Sequence, residues 1–284
     1  MITVDNVYLK YRGAKADTIN GITFDVKAGE VFGFLGPSGA GKSTLQKILT
    51  GVLRNYRGSV NVLGTEVNVR SSRFYEDIGV DFEFPNFYGK CTARENLNYF
   101  VSLYRTQAAD TMDLMERVGL EKDADKKVQE YSKGMKMRLS FIRALIHDPK
   151  ILFLDEPTSG LDPANGRTIK DMILEQKEKG KTIILTTHNM HDADELCDRV
   201  AFIVDGQMKA MDTPAAFQRK LADTQVRYSF LQDKSIRESS SLLSGLEKDR
   251  AFMTALHNGS LTSIHSKEQT LEDVFIELTG RCLH

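Results

Sequence analysis

The feature that most constrains this chain is an octapeptide, Gly36, Pro37, Ser38, Gly39, Ala40, Gly41, Lys42 and Ser43, set between an apolar run (Val31 to Leu35) and a helical stretch. It fits G-x-x-x-x-G-K-[ST] at every position, and the order strand, glycine-rich turn, helix is the phosphate-binding arrangement. Glycines let backbone N–H groups curl around phosphate oxygens, and the helix amino terminus adds its partial positive charge. In that frame Lys42 is expected to reach the β- and γ-phosphates, with Ser43 ligating Mg²⁺ and Thr44 next along the nucleotide site. ATP or GTP binding follows. The loop alone fits a kinase, a GTPase or a helicase equally well.

A second apolar strand, Ile151 to Leu154, ends at Asp155 and Glu156. Ligands of open α/β sheets gather at the carboxyl ends of strands, so Asp155 is expected to hold Mg²⁺ through water. Glu156 is then placed to orient or deprotonate the water that attacks the γ-phosphate, which favours hydrolysis over phosphotransfer. A third strand, Lys181 to Thr187, follows a predicted helix over 167–179 that closes at Gly180 and ends at His188. Buried strands joined by helices predict a parallel sheet.

Around this frame the first 30 residues alternate apolar and polar (Ile2, Val4, Val7; Ile22, Phe24, Val26), predicting antiparallel strands at a β-rich edge. From about 84 to 149 the pattern is helical, through Leu97, Phe100, Val101 and Tyr104 and then Met112, Met115 and Val118, predicting an inserted helical subdomain. Residues 1–222 are read as one α/β domain and 223–284 as a small α+β appendage. The appendage carries strand-like runs at 226–230 and 261–264. It also carries a helix with Leu271, Val274, Phe275 and Leu278 on one face, a Thr270/Asp273 capping box and Gly280 at its end.

Composition removes several alternatives. A formal net charge of −1 without a block of like charge argues against nucleic-acid binding. Cys91, Cys197 and Cys282 are far apart and lack the spacing of a zinc site or disulfide framework, which suits a reducing cytoplasm. No apolar stretch approaches the roughly 20 residues that a membrane-spanning helix needs.

The segment from Leu154 through Asp155, Glu156, Pro157 and Leu161 to Asp162 and Pro163, with Tyr131-Ser132-Lys133-Gly134-Met135 upstream and an isolated His188, resembles the ATPase subunit of an ABC transporter over about residues 1–220. The resemblance implies a P-loop NTPase fold and a dimer of two such subunits with ATP between them. Ser132 and Gly134 belong to a signature loop that binds the γ-phosphate of the nucleotide held by the other subunit. Asp162 lies in the loop linking the two sites, His188 contacts the γ-phosphate and attacking water, and Tyr11 matches the aromatic that stacks on adenine, although a tyrosine near a strand end also serves ordinary packing. A separate membrane-spanning permease is implied, with this chain attached at the cytoplasmic face of the membrane.

Two positions depart from the family pattern. Glu83 stands where glutamine is usual as a Mg²⁺ ligand, bringing an extra negative charge close to Asp155 and Glu156. Lys133 stands where glycine is usual and is expected to sit less comfortably in a tight or left-handed backbone. The permease is expected to dock in a groove beside residues 83–94, where Phe84, Phe87 and Tyr88 serve either a partner helix or the local core. The ending from Gln269 to Gly280 resembles subunits that serve drug and antibiotic exporters. The alternative is a soluble ABC ATPase acting on a partner such as the ribosome, which would ordinarily carry two cassettes in one chain.

Overall fold

The computed structural model describes residues 1–105, 109–220, 225–232, 235–267 and 270–281. They form two compact units, Met1–Asp212 and Thr213–Arg281. The boundary expected at 222/223 falls outside the described residues, as do Gln269 and Cys282.

In the first unit, β1 (Ile2–Leu9) and β2 (Ile19–Val26) precede β3 (Val31–Leu35) and α1 (Lys42–Leu49). Next come β4 (Arg57–Val62), β5 (Thr65–Glu66), β6 (Ile78–Asp81), α2 (Ala93–Val101), α3 (Thr111–Arg117) and α4 (Lys133–Leu145). The unit finishes with β7 (Ile151–Asp155), α5 (Pro163–Glu178), β8 (Thr182–Thr187), α6 (Met190–Leu196), β9 (Arg199–Val204) and β10 (Gln207–Asp212). The strands divide into an antiparallel edge sheet, β2-β1-β4-β5, and a six-stranded sheet, β10-β9-β3-β8-β7-β6. Five strands of the larger sheet run parallel and β10 is antiparallel to β9. The central strands β3, β7 and β8 are buried at every residue, as the apolar core of each run requires in a parallel sheet.

Alternation in β1 and β2 buries Ile2, Val4, Val7, Ile22, Phe24 and Val26 as expected. Phe24 meets Phe32 and Phe34 of β3 at ring centroid distances of 5.5 and 5.2 Å, joining the two sheets through one aromatic cluster. The predicted 84–149 insertion contains α2, α3 and α4, with Leu97, Met115 and Val118 buried. The helix expected at 167–179 begins four residues earlier, because Asp162 accepts the Asn165 N–H and Pro163 occupies the first helical position.

The second unit holds α7 (Pro214–Lys220), β11 (Gln225–Gln232), β12 (Ser235–Leu242), α8 (Arg250–His257), β13 (Leu261–Lys267) and α9 (Leu271–Thr279). Its sheet is antiparallel in the order β12-β11-β13. In α9 both bonds of the Thr270/Asp273 capping box form, and Gly280 takes a left-handed conformation after its last turn. Leu271, Val274 and Phe275 are buried, whereas Leu278, expected on the same face, is 49% exposed. Among the described residues no helix is long and apolar enough to cross a membrane.

Candidate active site

β3 and α1 are joined by the glycine-rich loop, and the backbone there leaves no room for side chains at two points. Gly36 (φ 154°) would put a Cβ 2.1 Å from the Ile203 carbonyl oxygen. Gly41 (φ 106°) would put one 3.0 Å from the Thr18 carbonyl oxygen. Ala40 is buried and its carbonyl accepts the Gly206 N–H at 3.0 Å, tying the loop to the β9–β10 turn. Lys42 folds back so that its ammonium donates to the carbonyls of Gly36 at 2.6 Å and Pro37 at 3.1 Å. Burial holds this ammonium below its ordinary pKa, opposed by the carboxylates of Glu156, Asp155 and Glu83.

A cleft of about 400 Å³ opens over the loop, lined by Ser38, Gly39 and Gly41 to Thr44 together with Thr18, Glu83, Glu156 and His188. Ser43 Oγ donates to Asp155 Oδ1 at 3.3 Å, so the first turn of α1 and the end of β7 converge on one point. That point carries a hydroxyl and a carboxylate, with Glu83 on the same cleft, an all-oxygen donor set that suits a hard divalent cation. Asp155 is buried and also accepts a hydrogen bond from the Thr186 hydroxyl.

Glu156 has φ 54°, a left-handed conformation that costs a non-glycine residue on the order of 1–3 kcal/mol and must be held by its surroundings. Its N–H donates to the Thr186 carbonyl at 2.9 Å, Thr187 Oγ1 donates to Oε2 at 3.2 Å, and His188 Nδ1 stands 2.8 Å from Oε1. The carboxylate is thereby fixed on the cleft beside the phosphate loop. Tyr11 is exposed, with its hydroxyl 3.3 Å from that of Thr44.

Ser132 and Gly134 do not line this cleft, and Asp162 lines a neighbouring pocket that shares Glu156 and His188 with it. Ser132 caps α4, accepting the Met135 N–H at 3.2 Å, and is exposed. Gly134 follows in the first turn of the same helix. Asp162 caps α5, and the N–H and side-chain amide of Asn165 hold its carboxyl below the ordinary range. Lys133 corrects the sequence expectation: it is the first residue of α4 and lies outside the left-handed region, because a helical residue needs no positive φ. Its ammonium lies beside Gly160, in the loop between Glu156 and Asp162.

Sequence reasoning assigned no role to Thr18, Thr186 and Thr187. Thr186 and Thr187 grip the two carboxylates, and their position at the end of a buried strand directly before His188 was the available signal.

Comparison with known proteins gives the same picture. Residues 19–159 match the family described as ABC transporter. Over all 284 residues the chain is 49% identical to the fluoroquinolones export ATP-binding protein of Mycobacterium tuberculosis, covering 94% of it. It is 37% identical over 280 residues to Nod factor export ATP-binding protein I of a Rhizobium species, covering 93% of this chain and 92% of that one. A dimeric ATP-binding cassette in a post-hydrolysis state bound to ADP and Pi superposes with a TM-score of 0.68 at 25% identity, covering 75% of this chain and 98% of that one. The chain therefore belongs to the ABC transporter family, as an ATP-binding and ATP-hydrolysing subunit.

Proposed function

We propose that the chain energises the export of drugs or other small amphipathic compounds through a separate membrane permease, working as a homodimer on the cytoplasmic face of the membrane. The observation that carries the reading is the convergence of Lys42, Ser43, Asp155, Glu156 and His188 on one cleft in a chain whose full length matches export subunits. Residues 1–222 act as the motor and 223–284 as an appendage, a division that assigns α7 (Pro214–Lys220) to the motor although it lies in the second compact unit.

ATP lies along Gly36 to Thr44, its adenine on Tyr11 and its β- and γ-phosphates met by Lys42, which exchanges its loop carbonyls for phosphate oxygens. Ser43, Glu83 and, through water, Asp155 would hold Mg²⁺, which would supply charge neutralisation to the phosphates of the nucleotide. Glu156 accepts a proton from water, whose oxygen attacks the γ-phosphorus while the bond to ADP breaks. His188, hydrogen-bonded to Glu156, orients the water and the γ-phosphate. Ser132 and Gly134 serve the nucleotide of the second subunit: they open α4, where a hydroxyl and free N–H groups suit an anion. Asp162 links the two sites.

The permease docks in an apolar groove of about 530 Å³ that includes Phe82, Phe84, Phe87, Tyr88, Phe100 and Arg143. Phe84 is 78% exposed and Tyr88 55%, while Phe87 is half-buried against Phe100, so Phe84 and Tyr88 are the residues free to meet a partner. The test is to solubilise native membranes in detergent, purify the tagged chain and identify what accompanies it in stoichiometric amount. A multi-span membrane protein is expected, and recovery only from the soluble fraction, alone or with ribosomes, overturns the transport reading.

A further inference from the structure

β6 ends at Asp81, two residues before Glu83, and the Asp81 carboxyl is completely buried. A carboxyl in that position is costly unless its oxygens are engaged, and packing alone would be served by an aliphatic side chain. Its contacts come from three elements. Ser140 of α4, itself fully buried, donates its hydroxyl to Asp81 Oδ1 at 2.6 Å. The Gln46 amide of α1, one turn beyond Ser43, donates to the Asp81 carbonyl at 3.5 Å. On the sheet, Asp81 pairs with Leu154, the residue before Asp155. Gly79 makes the approach of α4 possible, since a Cβ there would stand 2.1 Å from the Ala144 carbonyl oxygen.

The bonding continues along the same turn of α4. Arg143 donates to Ser140 Oγ at 3.2 Å and to the Asn86 carbonyl at 2.9 Å, with its guanidinium over the rings of Phe87 and Phe100. The segment 82–85, which carries Glu83, is thus tied at one end through Asp81 to Ser140 and at the other through Asn86 to Arg143. Both ties run to one turn of the helix that Ser132 caps.

We propose that Asp81 is a positioning residue for Glu83: with Ser140 and Arg143 it clamps both ends of the Glu83 segment to α4, so that the Glu83 carboxylate is held at the nucleotide cleft and follows the signature helix. The inference rests on the reading of Glu83 as a Mg²⁺ ligand. Asp81 Oδ2 and Gln46 Oε1 are both buried without a hydrogen-bond partner among the described residues, so an asparagine at 81 keeps the acceptor for Ser140 and puts an amide in place of that oxygen. A leucine removes both.

The experiment is a Mg²⁺ titration of the binding of a fluorescent ATP analogue to the full-length chain, with binding in EDTA as the metal-free reference. Asp81→Leu is expected to raise the half-saturating Mg²⁺ concentration about fivefold, the scale of one lost hydrogen bond, with metal-free binding unchanged. Asp81→Asn is expected to match the parent, and in a Glu83→Ala background Asp81→Leu adds no further shift, because residues acting through one another are not additive. If Asp81→Leu does not fold, Ser140→Ala is titrated in its place with the same direction expected. Additive shifts in the Glu83→Ala background, or equal loss of metal-free binding, overturn the proposal by making Asp81 merely structural. A Glu83→Ala variant with unchanged Mg²⁺ dependence overturns the ligand reading itself. A shift with Glu83→Ala and none with Asp81→Leu overturns only the role of Asp81.

Discussion

At the scale of single residues the site is built from groups held in states they would not choose in water. Lys42 is buried and hydrogen-bonded to its own loop, and Glu156 occupies a left-handed backbone with Thr186, Thr187 and His188 around it. Glu83→Gln removes one negative charge beside Asp155 and Glu156 while retaining an oxygen ligand, so ATPase turnover of this variant is expected to equal or exceed that of the parent. Loss of turnover in a steady-state assay would show that the carboxylate itself is needed. Asp81 makes a separate prediction about stability. Burial pushes its carboxyl up to about 7, with Ser140 and Arg143 opposing. Below the ordinary carboxylate pKa both folded and unfolded chains are protonated and nothing is lost. As pH rises the unfolded chain ionises first, so the cost to the folded state grows until about pH 7 and is full above it. Asp81→Asn is therefore expected to raise the melting temperature more at about pH 8 than at about pH 5, and an equal change at both would refute it.

Elements show where local rules sufficed and where packing overrode them. The capping box and terminal glycine of α9 were legible because they are local hydrogen-bonding patterns, and Thr270→Ala should cost about 1 kcal/mol in denaturant unfolding of the second unit. β12, read as no element from sequence, is rich in serine and largely exposed, so it carries no apolar alternation; it exists through pairing with β11 along its whole length. The early start of α5 lies in the Asp162-Pro163 pair, a helix-start signal that the apolar periodicity further along the helix does not reveal. Gly79 belongs to this scale too. Its replacement by alanine forces β6 from α4 and is expected to destabilise the first unit by roughly 1–3 kcal/mol, measured by urea unfolding. A neutral result would mean that the helix can shift without cost, and the clamp on the Glu83 segment would lose its rigidity.

For the molecule as a whole, the residues that open α4 do not line the cleft, as expected of a chain that completes its site on a second copy. Glu156→Gln should bind ATP without turning it over and accumulate as an ATP-dependent dimer by size-exclusion chromatography with light scattering. A monomer at saturating ATP would contradict the shared-site reading. The nucleotide chemistry was determined by the sequence alone, because a phosphate loop and a strand-end Asp-Glu pair are short, contiguous patterns whose geometry follows from backbone rules. The aromatic groove after β6 was half legible, since exposed and buried aromatics look alike in a sequence; burial separated Phe87 from Phe84 and Tyr88. Only the tertiary structure decided what holds those patterns in place: the left-handed Glu156, the threonine grips and the ties from Asp81 and Asn86 to α4. The grips and ties join residues far apart in the chain, and such contacts arise from close packing of whole elements and leave no periodic trace in the sequence.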